Sequence, residues 1–228
     1  MHERRIWPNG RRYLWTDAFG VVLLVSLYHV LGEERYLDQA EGVVAAVDHV
    51  LGRRVGIRIG EAPERDGQYF HYLAMWMFAL GCLGAVRDGY REHAVALARA
   101  IHPRFVVRGR GVTWKMLEDL SGPYPGYGFG AIDAFHGYVV YRLLTADALA
   151  GEIAEMQQLV EQSYRSLRIT QDLGLGMMLW LSHFFPREPW AMLQRDRALA
   201  TLESMWIDPP GYFCREPGLR HVKFAFTN

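Results

Sequence analysis

The residues of this chain best suited to chemistry are acids that stand at the start of long apolar runs. Four aspartates have this position: Asp17, Asp66, Asp133 and Asp172. A carboxylate at the start of a helix either caps free backbone N–H groups or transfers protons as a general acid or base. For Asp17 and Asp66 the sequence leaves both roles open, and we treat both as candidate catalytic residues.

Asp133 has a second candidate beside it, because His136 follows three residues later. Side chains at this spacing share one face of a helix. A carboxylate next to an imidazole orients the ring and raises its pKa, which suits proton transfer near neutral pH. The alternative is a buried polar pair that only satisfies its own hydrogen-bonding groups. The sequence favours neither, and we include both residues in the predicted catalytic set.

Aromatic and basic side chains near the same runs are candidates for binding a hydroxylated substrate. They are Tyr69, His71, Trp114, Lys115 and Tyr127. Trp114 can stack on a substrate, and Lys115 can pair with a charged group. For Tyr69 and His71 the alternative is packing with a hydrogen-bonded tip, and for Lys115 it is a solvated surface position.

Composition argues against several classes of function. Lys plus Arg and Asp plus Glu each number 25, and this balance gives no case for a nucleic-acid or anionic-membrane partner. The apolar run of residues 18–31 is too short to span a bilayer comfortably, so we predict a soluble protein. Cys82 and Cys214 have neither disulfide-framework nor metal-binding spacing, which favours a reducing, cytoplasmic compartment.

Motifs for other kinds of site are also missing from the sequence. It contains no glycine-rich dinucleotide or phosphate-binding loop, no His-Glu-x-x-His helix and no Gly-x-Ser-x-Gly elbow. We therefore predict no metal and no cofactor, and a small molecule as the partner.

The elements that must position the candidates are helices of two alternating kinds. The runs that begin at the four aspartates are apolar on every face, which predicts burial all round. The helices between them are amphipathic and cover residues 34–51, 90–101, 150–167 and 189–206. One small β-hairpin is predicted where residues 105–107 and 112–114 flank Arg-Gly-Arg-Gly. At 228 residues, the chain is predicted to be a single domain, residues 1–228.

The connections predict where a site would lie. Turns from a buried helix to the next amphipathic helix are short, whereas two of the returning connections, residues 53–65 and 104–130, are long. The long loops and the aspartates therefore share one rim of the predicted array, and function concentrates on such loops. Four hairpins also leave apolar helix flanks uncovered, which predicts either a homodimer or a further segment of chain across that seam.

Three stretches resemble the αα-hairpin toroid enzymes, namely the six-hairpin glycosidases and the N-acylglucosamine 2-epimerases. They are Trp-Thr-Asp-Ala-Phe-Gly at residues 15–20, Gly-Glu-Glu-Arg-Tyr-Leu-Asp-Gln-Ala at residues 32–40 and Asp-Gly-Gln-Tyr-Phe-His at residues 66–71. The resemblance implies an all-α fold, an (α/α) toroid-like array with about four of the six hairpins of those families. It also implies carboxylates or histidines that project into a central funnel for proton transfer at a sugar.

Residues and resemblance together predict an enzyme that uses acid–base chemistry on a carbohydrate or a related polyhydroxylated molecule, as a glycoside hydrolase or a sugar epimerase does. One alternative is an isomerase or dehydratase of an isoprenoid-like alcohol, a chemistry that buried Cys82 near a His and an Asp would suit. Another is a binding protein with the same ring and no catalysis. Paired carboxylates and polar rings would indicate a sugar site, and a nearly apolar chamber would indicate an isoprenoid site.

Overall fold

A computed structural model describes residues 12–207, and most of this part of the chain is helical. The eight helices in it are α1 (Leu14–Leu31), α2 (Arg35–Leu51), α3 (Phe70–Leu83), α4 (Tyr90–Phe105), α5 (Asp133–Leu144), α6 (Ala150–Ser163), α7 (Asp172–Phe184) and α8 (Pro189–Ile207). The predicted number and order of helices are confirmed. Cys214, the basic residues before Arg12 and the apolar segment from Val222 lie outside the described residues.

The chain divides into two compact units, Met1–Met156 and Gln157–Asn228, and the boundary falls inside α6. In the first unit α1 packs on α3 and α3 packs on α5, while α2 packs on α1 and α4 packs on α3 and α5. In the second unit α7 packs on α8. The packing of α1, α3 and α7 on the amphipathic helix that follows each of them agrees with the predicted alternation of buried and amphipathic helices.

The prediction that the apolar helices are buried on every side is confirmed for α5 and wrong for α1. Every residue of α5 from Asp133 to Tyr141 is buried, because α3 and α4 cover it. In contrast, α1 is buried on one side only. Five of its exposed positions follow helical spacing: Thr16, Phe19, Leu23, Ser26 and Val30. The prediction of burial all round is therefore wrong for α1, since the described residues cover only the face that meets α2 and α3.

By length and composition, α1 is the one described helix that could cross a membrane. Of its 18-residue window, 39% is buried inside the protein. Core helices of soluble proteins and signal sequences meet the same criterion, so α1 alone is weak evidence for a membrane span.

Two small antiparallel sheets accompany the helices. The strands are β1 (Gln68–Tyr69), β2 (Val106–Val107), β3 (Gly111–Val112) and β4 (Lys115–Met116). The pairing of β2 with β3 confirms the predicted hairpin. The pairing of β1 with β4 was not predicted, and it places Tyr69 opposite Lys115. This second sheet ties the segment before α3 to the long loop before α5.

Several helix boundaries differ from the predicted ones, among them the end of α6, which lies at Ser163 and not at residue 167. Asp66 does not open α3, which begins four residues later at Phe70. The predicted stop of α4 before Pro103 is also wrong, because the helix continues to Phe105. Proline removes one helical hydrogen bond, but Ile101, His102 and Phe105 are buried, and their packing holds the last turn in place.

Candidate functional site

The four aspartates at the buried runs are not N-caps. The N-cap positions of α1, α3, α5 and α7 are occupied by other residues, none of which caps with its side chain. The N-cap interpretation is therefore wrong for Asp17 and Asp66. Their roles depend on partners elsewhere in the chain, and those partners differ.

Asp66 is bound into the loop before α3. Its Oδ2 forms an ion pair with Arg58, and its Oδ1 accepts hydrogen bonds from the backbone N–H groups of Gly60, at 3.1 Å, and Gly67, at 2.9 Å. The residue is buried. Because both carboxylate oxygens already have partners, these contacts support a role for Asp66 in ordering the loop.

Asp17 and Asp172 also have local partners. In the first turn of α1, Asp17 is fully buried, and its Oδ2 lies 3.5 Å from Nε of Arg12, which is itself buried. In the second unit, Oδ1 of Asp172 accepts a hydrogen bond from the N–H of Leu173 at 2.8 Å. The Arg12–Asp17 pair ties the segment before α1 to its first turn.

Asp133 makes a contact of a different kind. It is buried at the start of α5, and its Oδ1 lies 3.5 Å from Nδ1 of His71, in the first turn of α3. The carboxylate fills the space over Gly130, where an added Cβ would come within 1.7 Å of Oδ2. The imidazole of His71 is 18% exposed although its Nδ1 is buried, which leaves Nε2 as the nitrogen available to a substrate.

His136 lies behind this pair and is fully buried. Its Nδ1 is 3.3 Å from the carbonyl oxygen of Ile132, and its Nε2 has no hydrogen-bond partner among the described residues. The ring centroids of His136 and His71 are 6.1 Å apart. The carbonyl favours a proton on Nδ1, so Nε2 presents a buried lone pair that accepts hydrogen bonds.

The pKa of His136 moves in the direction opposite to the prediction. Burial is the largest effect and lowers the pKa to about 4, while the nearby Asp133 carboxylate opposes the change. The prediction that Asp133 raises the pKa of His136 is therefore wrong in its outcome, because the cost of burying the charged ring outweighs the attraction. His136 is uncharged at neutral pH.

Aromatic rings surround His71. The ring centroids of Tyr72, Tyr69, Trp15 and Trp114 lie 4.7, 5.4, 5.7 and 6.3 Å from that of His71. Trp15 and Tyr72 were not among the predicted site residues. Their signal was present, since each is within two residues of a candidate in sequence.

Lys115 has a different role from the predicted one of pairing with a substrate charge. Its side chain is buried, and Nζ lies 4.3, 4.8 and 5.3 Å from the ring centroids of Tyr124, Tyr69 and Tyr127. Nζ also donates to the Arg65 carbonyl oxygen at 2.5 Å and contacts Glu61 at 3.3 Å. The ammonium group therefore holds three tyrosine rings together.

The tyrosine hydroxyls at this end of the helices are protonated at neutral pH. The hydroxyls of Tyr13 and Tyr72 share a hydrogen bond of 2.6 Å. Burial is the main cause that raises the pKa of Tyr13, Tyr69 and Tyr72 above the ordinary value. Each hydroxyl is therefore an uncharged group that both donates and accepts hydrogen bonds.

The structure brings seven of the nine predicted site residues together. With the two that the sequence missed, they form what we call the rim cluster: Trp15, Tyr69, His71, Tyr72, Trp114, Lys115, Tyr127, Asp133 and His136. Asp17 lies in the first turn of α1, where Arg12 contacts it, and Asp66 lies just before α3, where Arg58 contacts it.

No protein-family model and no curated protein matches this chain. The functional argument therefore rests on the geometry of the rim cluster.

Other chemical groups in the first unit lie away from the rim cluster. Cys82 is eleven residues beyond His71 on α3, about 16 Å along the helix. Burial raises the pKa of its thiol to about 11, so the thiol stays protonated. A cavity of about 640 Å³ between the end of α2 and α4 is lined by other residues, among them Arg54 and His93. Within residues 12–207, no group of three His, Cys, Asp or Glu side chains is placed to hold a metal ion.

Proposed function

We propose that this protein is an enzyme that transfers protons at a carbohydrate or a related polyhydroxylated molecule, with His71 as the acid–base group. The contact between buried Asp133 and Nδ1 of His71 carries the proposal. A carboxylate in this position orients the imidazole and stabilises the imidazolium that forms when Nε2 takes a proton. The partial exposure of the His71 side chain is consistent with access of a substrate to Nε2.

The polar rings around His71 support a hydroxylated substrate over an isoprenoid-like alcohol. Tyr13, Tyr69, Tyr72 and Tyr127 supply hydroxyl groups next to aromatic faces, whereas an isoprenoid site needs a nearly apolar chamber. The thiol of Cys82, which the alternative chemistry would use, lies about 16 Å along α3 from His71.

The partners of the carboxylates support an epimerase-like reaction over glycoside hydrolysis. Hydrolysis uses two carboxyl groups that flank the scissile bond. Asp66 is held by Arg58 and Asp17 contacts Arg12, so Asp133 is the predicted acid that contacts a partly exposed base. An imidazole with one carboxylate suits abstraction and return of a proton next to a carbonyl group.

The proposal includes the toroid architecture. The succession of α1, α3 and α5 as mutually packed helices, with α2 and α4 against them, supports an arc of inner helices with an outer layer. In such an arc the first turns of α3 and α5 meet at one end, as the contact of His71 with Asp133 requires.

Solvent exchange tests the proposed reaction directly. The protein is incubated in D₂O with a panel of aldoses, ketoses and N-acetylated amino sugars, and NMR follows exchange of the proton next to the carbonyl carbon. We expect exchange for at least one sugar and a loss of 10²–10⁴-fold in rate for both His71→Asn and Asp133→Asn, the usual contribution of a general base. The matched control is His29→Asn, an exposed histidine on α1.

Two results would overturn the proposal. One is the absence of exchange for every sugar in the panel. The other is exchange that survives His71→Asn at the wild-type rate. Sugar binding without exchange would indicate the non-catalytic binding protein instead.

A further inference from the structure

We infer that the rim cluster selects a hydroxyl-rich substrate that carries no phosphate or carboxylate group. This inference rests on the proposed function and narrows the class of substrate for the same site. It follows from how the charges, the helix ends and the uncharged polar groups around His71 are arranged.

The two buried cations near these helix ends already face partners inside the protein. Lys115 is buried among three tyrosine rings and contacts Glu61 and the Arg65 carbonyl oxygen. Arg12 pairs with Asp17. An anionic substrate would have to break one of these arrangements to pair with a buried cation, and that would leave a buried charge without its partner.

The helix N-termini are also occupied. The N-terminus of a helix attracts anions through its free N–H groups and its dipole. Here the first turns of α1 and α5 each contain a buried acid, Asp17 and Asp133. At α3, the N–H of Phe70 donates to the carbonyl oxygen of Trp114 at 3.2 Å. The positions where a phosphate would bind are thus taken by carboxylates and by a carbonyl group of the chain.

The charge next to the proposed base is negative. Oδ1 of Asp133 lies 3.5 Å from Nδ1 of His71, whereas the charge of Glu61 is balanced by the Lys115 ammonium group at 3.3 Å. A phosphate or carboxylate on the substrate would approach the Asp133 carboxylate and be repelled. A hydroxyl group meets no such repulsion.

The remaining polar groups match hydroxyls. Nε2 of His136 is a buried acceptor on an uncharged ring, and the tyrosine hydroxyls are protonated. A sugar hydroxyl can both donate hydrogen bonds to the tyrosine hydroxyls and accept hydrogen bonds from them. His136 is fully buried behind the His71–Asp133 pair, and its uncharged ring offers an anion no positive charge.

Matched sugars test the inference. Glucose is compared with glucose 6-phosphate and glucuronate, and N-acetylglucosamine is compared with its 6-phosphate, by saturation-transfer NMR followed by titration at low salt. We expect the unmodified sugar of at least one series to bind tenfold or more tightly than its anionic forms. Added salt should narrow this difference in affinity, because screening weakens the repulsion between the anionic sugar and the Asp133 carboxylate. Asp133→Asn also narrows it, whereas Asp147→Asn, at an exposed acid beyond the far end of α5, leaves it unchanged.

The outcomes separate this inference from the proposed function. An anionic form that binds as tightly as its unmodified sugar, or more tightly, overturns the inference and leaves the proposed acid–base role of His71 standing. If no sugar of any series binds, the proposed function fails, and the inference fails with it.

Discussion

Asp66 and Asp133 are both buried aspartates close to the start of a helix, but their surroundings give them opposite roles. Asp66 has a cation and two backbone N–H groups as partners. Asp133 has the rim histidine His71 at 3.5 Å, and its Oδ1 has no hydrogen bond from the described residues. Residues that stabilise a fold have satisfied partners, while functional residues are often held in surroundings that cost stability.

Replacement of the two acids should therefore give opposite results. Asp66→Asn leaves Arg58 without its buried counter-charge, and we expect a loss of about 2–3 kcal/mol in the free energy of unfolding, since Arg58 keeps some access to water. For Asp133→Asn we expect a change within about 1 kcal/mol and loss of sugar exchange. Urea unfolding measures the change in unfolding free energy for both variants. Equal losses of stability for the two variants would contradict this assignment of roles.

Gly130 is the residue whose lack of a side chain makes room for the Asp133 carboxylate. An added Cβ would lie 1.7 Å from Oδ2, so Gly130→Ala must displace the carboxylate from its position near His71. We expect the rate of sugar exchange to fall at least tenfold, since a displacement of about 1 Å costs on the order of 10²-fold in rate. Gly128→Ala, in the same loop with nothing within 4 Å of the added Cβ, should keep the wild-type rate. Equal rates for the two variants would show that the Asp133 position is unimportant.

His136 makes the stability of the protein depend on pH. Its folded-state pKa of about 4 lies below the ordinary value of 6.5, so the unfolded chain takes up a proton that the folded protein excludes. The share of the unfolding free energy that depends on an uncharged His136 is fully present above pH 6.5. It is lost as the pH falls towards 4, which lowers the unfolding free energy by at most about 3 kcal/mol.

Replacement of His136 tests this dependence. The unfolding free energy of His136→Phe should decline less steeply between pH 6.5 and 4 than that of the wild type, since the residue no longer titrates. Burial also lowers the pKa of His102, so some decline remains. The control His29→Phe, at an exposed position on α1, should keep the wild-type slope. An unchanged slope for His136→Phe would contradict the assignment.

Among the helices that were predicted to be buried on every side, α1 has an exposed apolar stripe. Its exposed stripe includes Phe19, Leu23 and Val30, which are 44%, 56% and 79% exposed. Exposed apolar stripes of this kind mark surfaces that other elements or other proteins cover. In a closed ring of helical hairpins, this face of α1 would meet another inner helix.

Two neighbouring leucines on α1 provide a matched test of this burial pattern. Leu24 is 7% exposed, and Leu24→Ala should cost about 2–5 kcal/mol of unfolding free energy, because it leaves a cavity against α2 and α3. Leu23 is 56% exposed, and Leu23→Ala should change stability by no more than about 0.5 kcal/mol. Urea unfolding compares the two variants. A large loss for Leu23→Ala would show that the stripe is covered in solution, and sedimentation would then identify a homodimer.

The β1–β4 pair is the second element that shapes the site. It joins residues almost fifty positions apart and sets Lys115 opposite Tyr69. Because Tyr124 and Tyr127 also contact the ammonium group, one buried cation aligns side chains from two segments of the first unit. The aromatic platform near His71 thus depends on a sheet of only two residues in each strand.

In the whole molecule, the proposed site lies in one of the two compact units. Every residue of the rim cluster belongs to the unit Met1–Met156. Within the other unit, side chains of α8 satisfy backbone carbonyl groups at the end of α6: Gln194 donates to Tyr164, and Arg197 donates to Tyr164, Arg165 and Leu167. The described contacts of the second unit thus serve its own packing, and the proposed reaction belongs to the first unit.

The succession of helices and the β2–β3 hairpin could be predicted from the amino-acid sequence. These features depend on near neighbours in the chain, because apolar periodicity, glycine and turn residues act over one or two turns. For the same reason, the sequence placed His71, Asp133 and His136 close to the ends of helices that pack together.

Only the tertiary structure decided which candidate acid faces a base and which is held by an arginine. Arg58 and Arg12 neutralise Asp66 and Asp17, while Asp133 meets His71 across sixty-two positions of sequence. Burial likewise decided the low pKa of His136 and the exposed face of α1. Ion pairing, desolvation and coverage depend on groups that folding brings from distant parts of the chain, and helical periodicity carries no information about those groups.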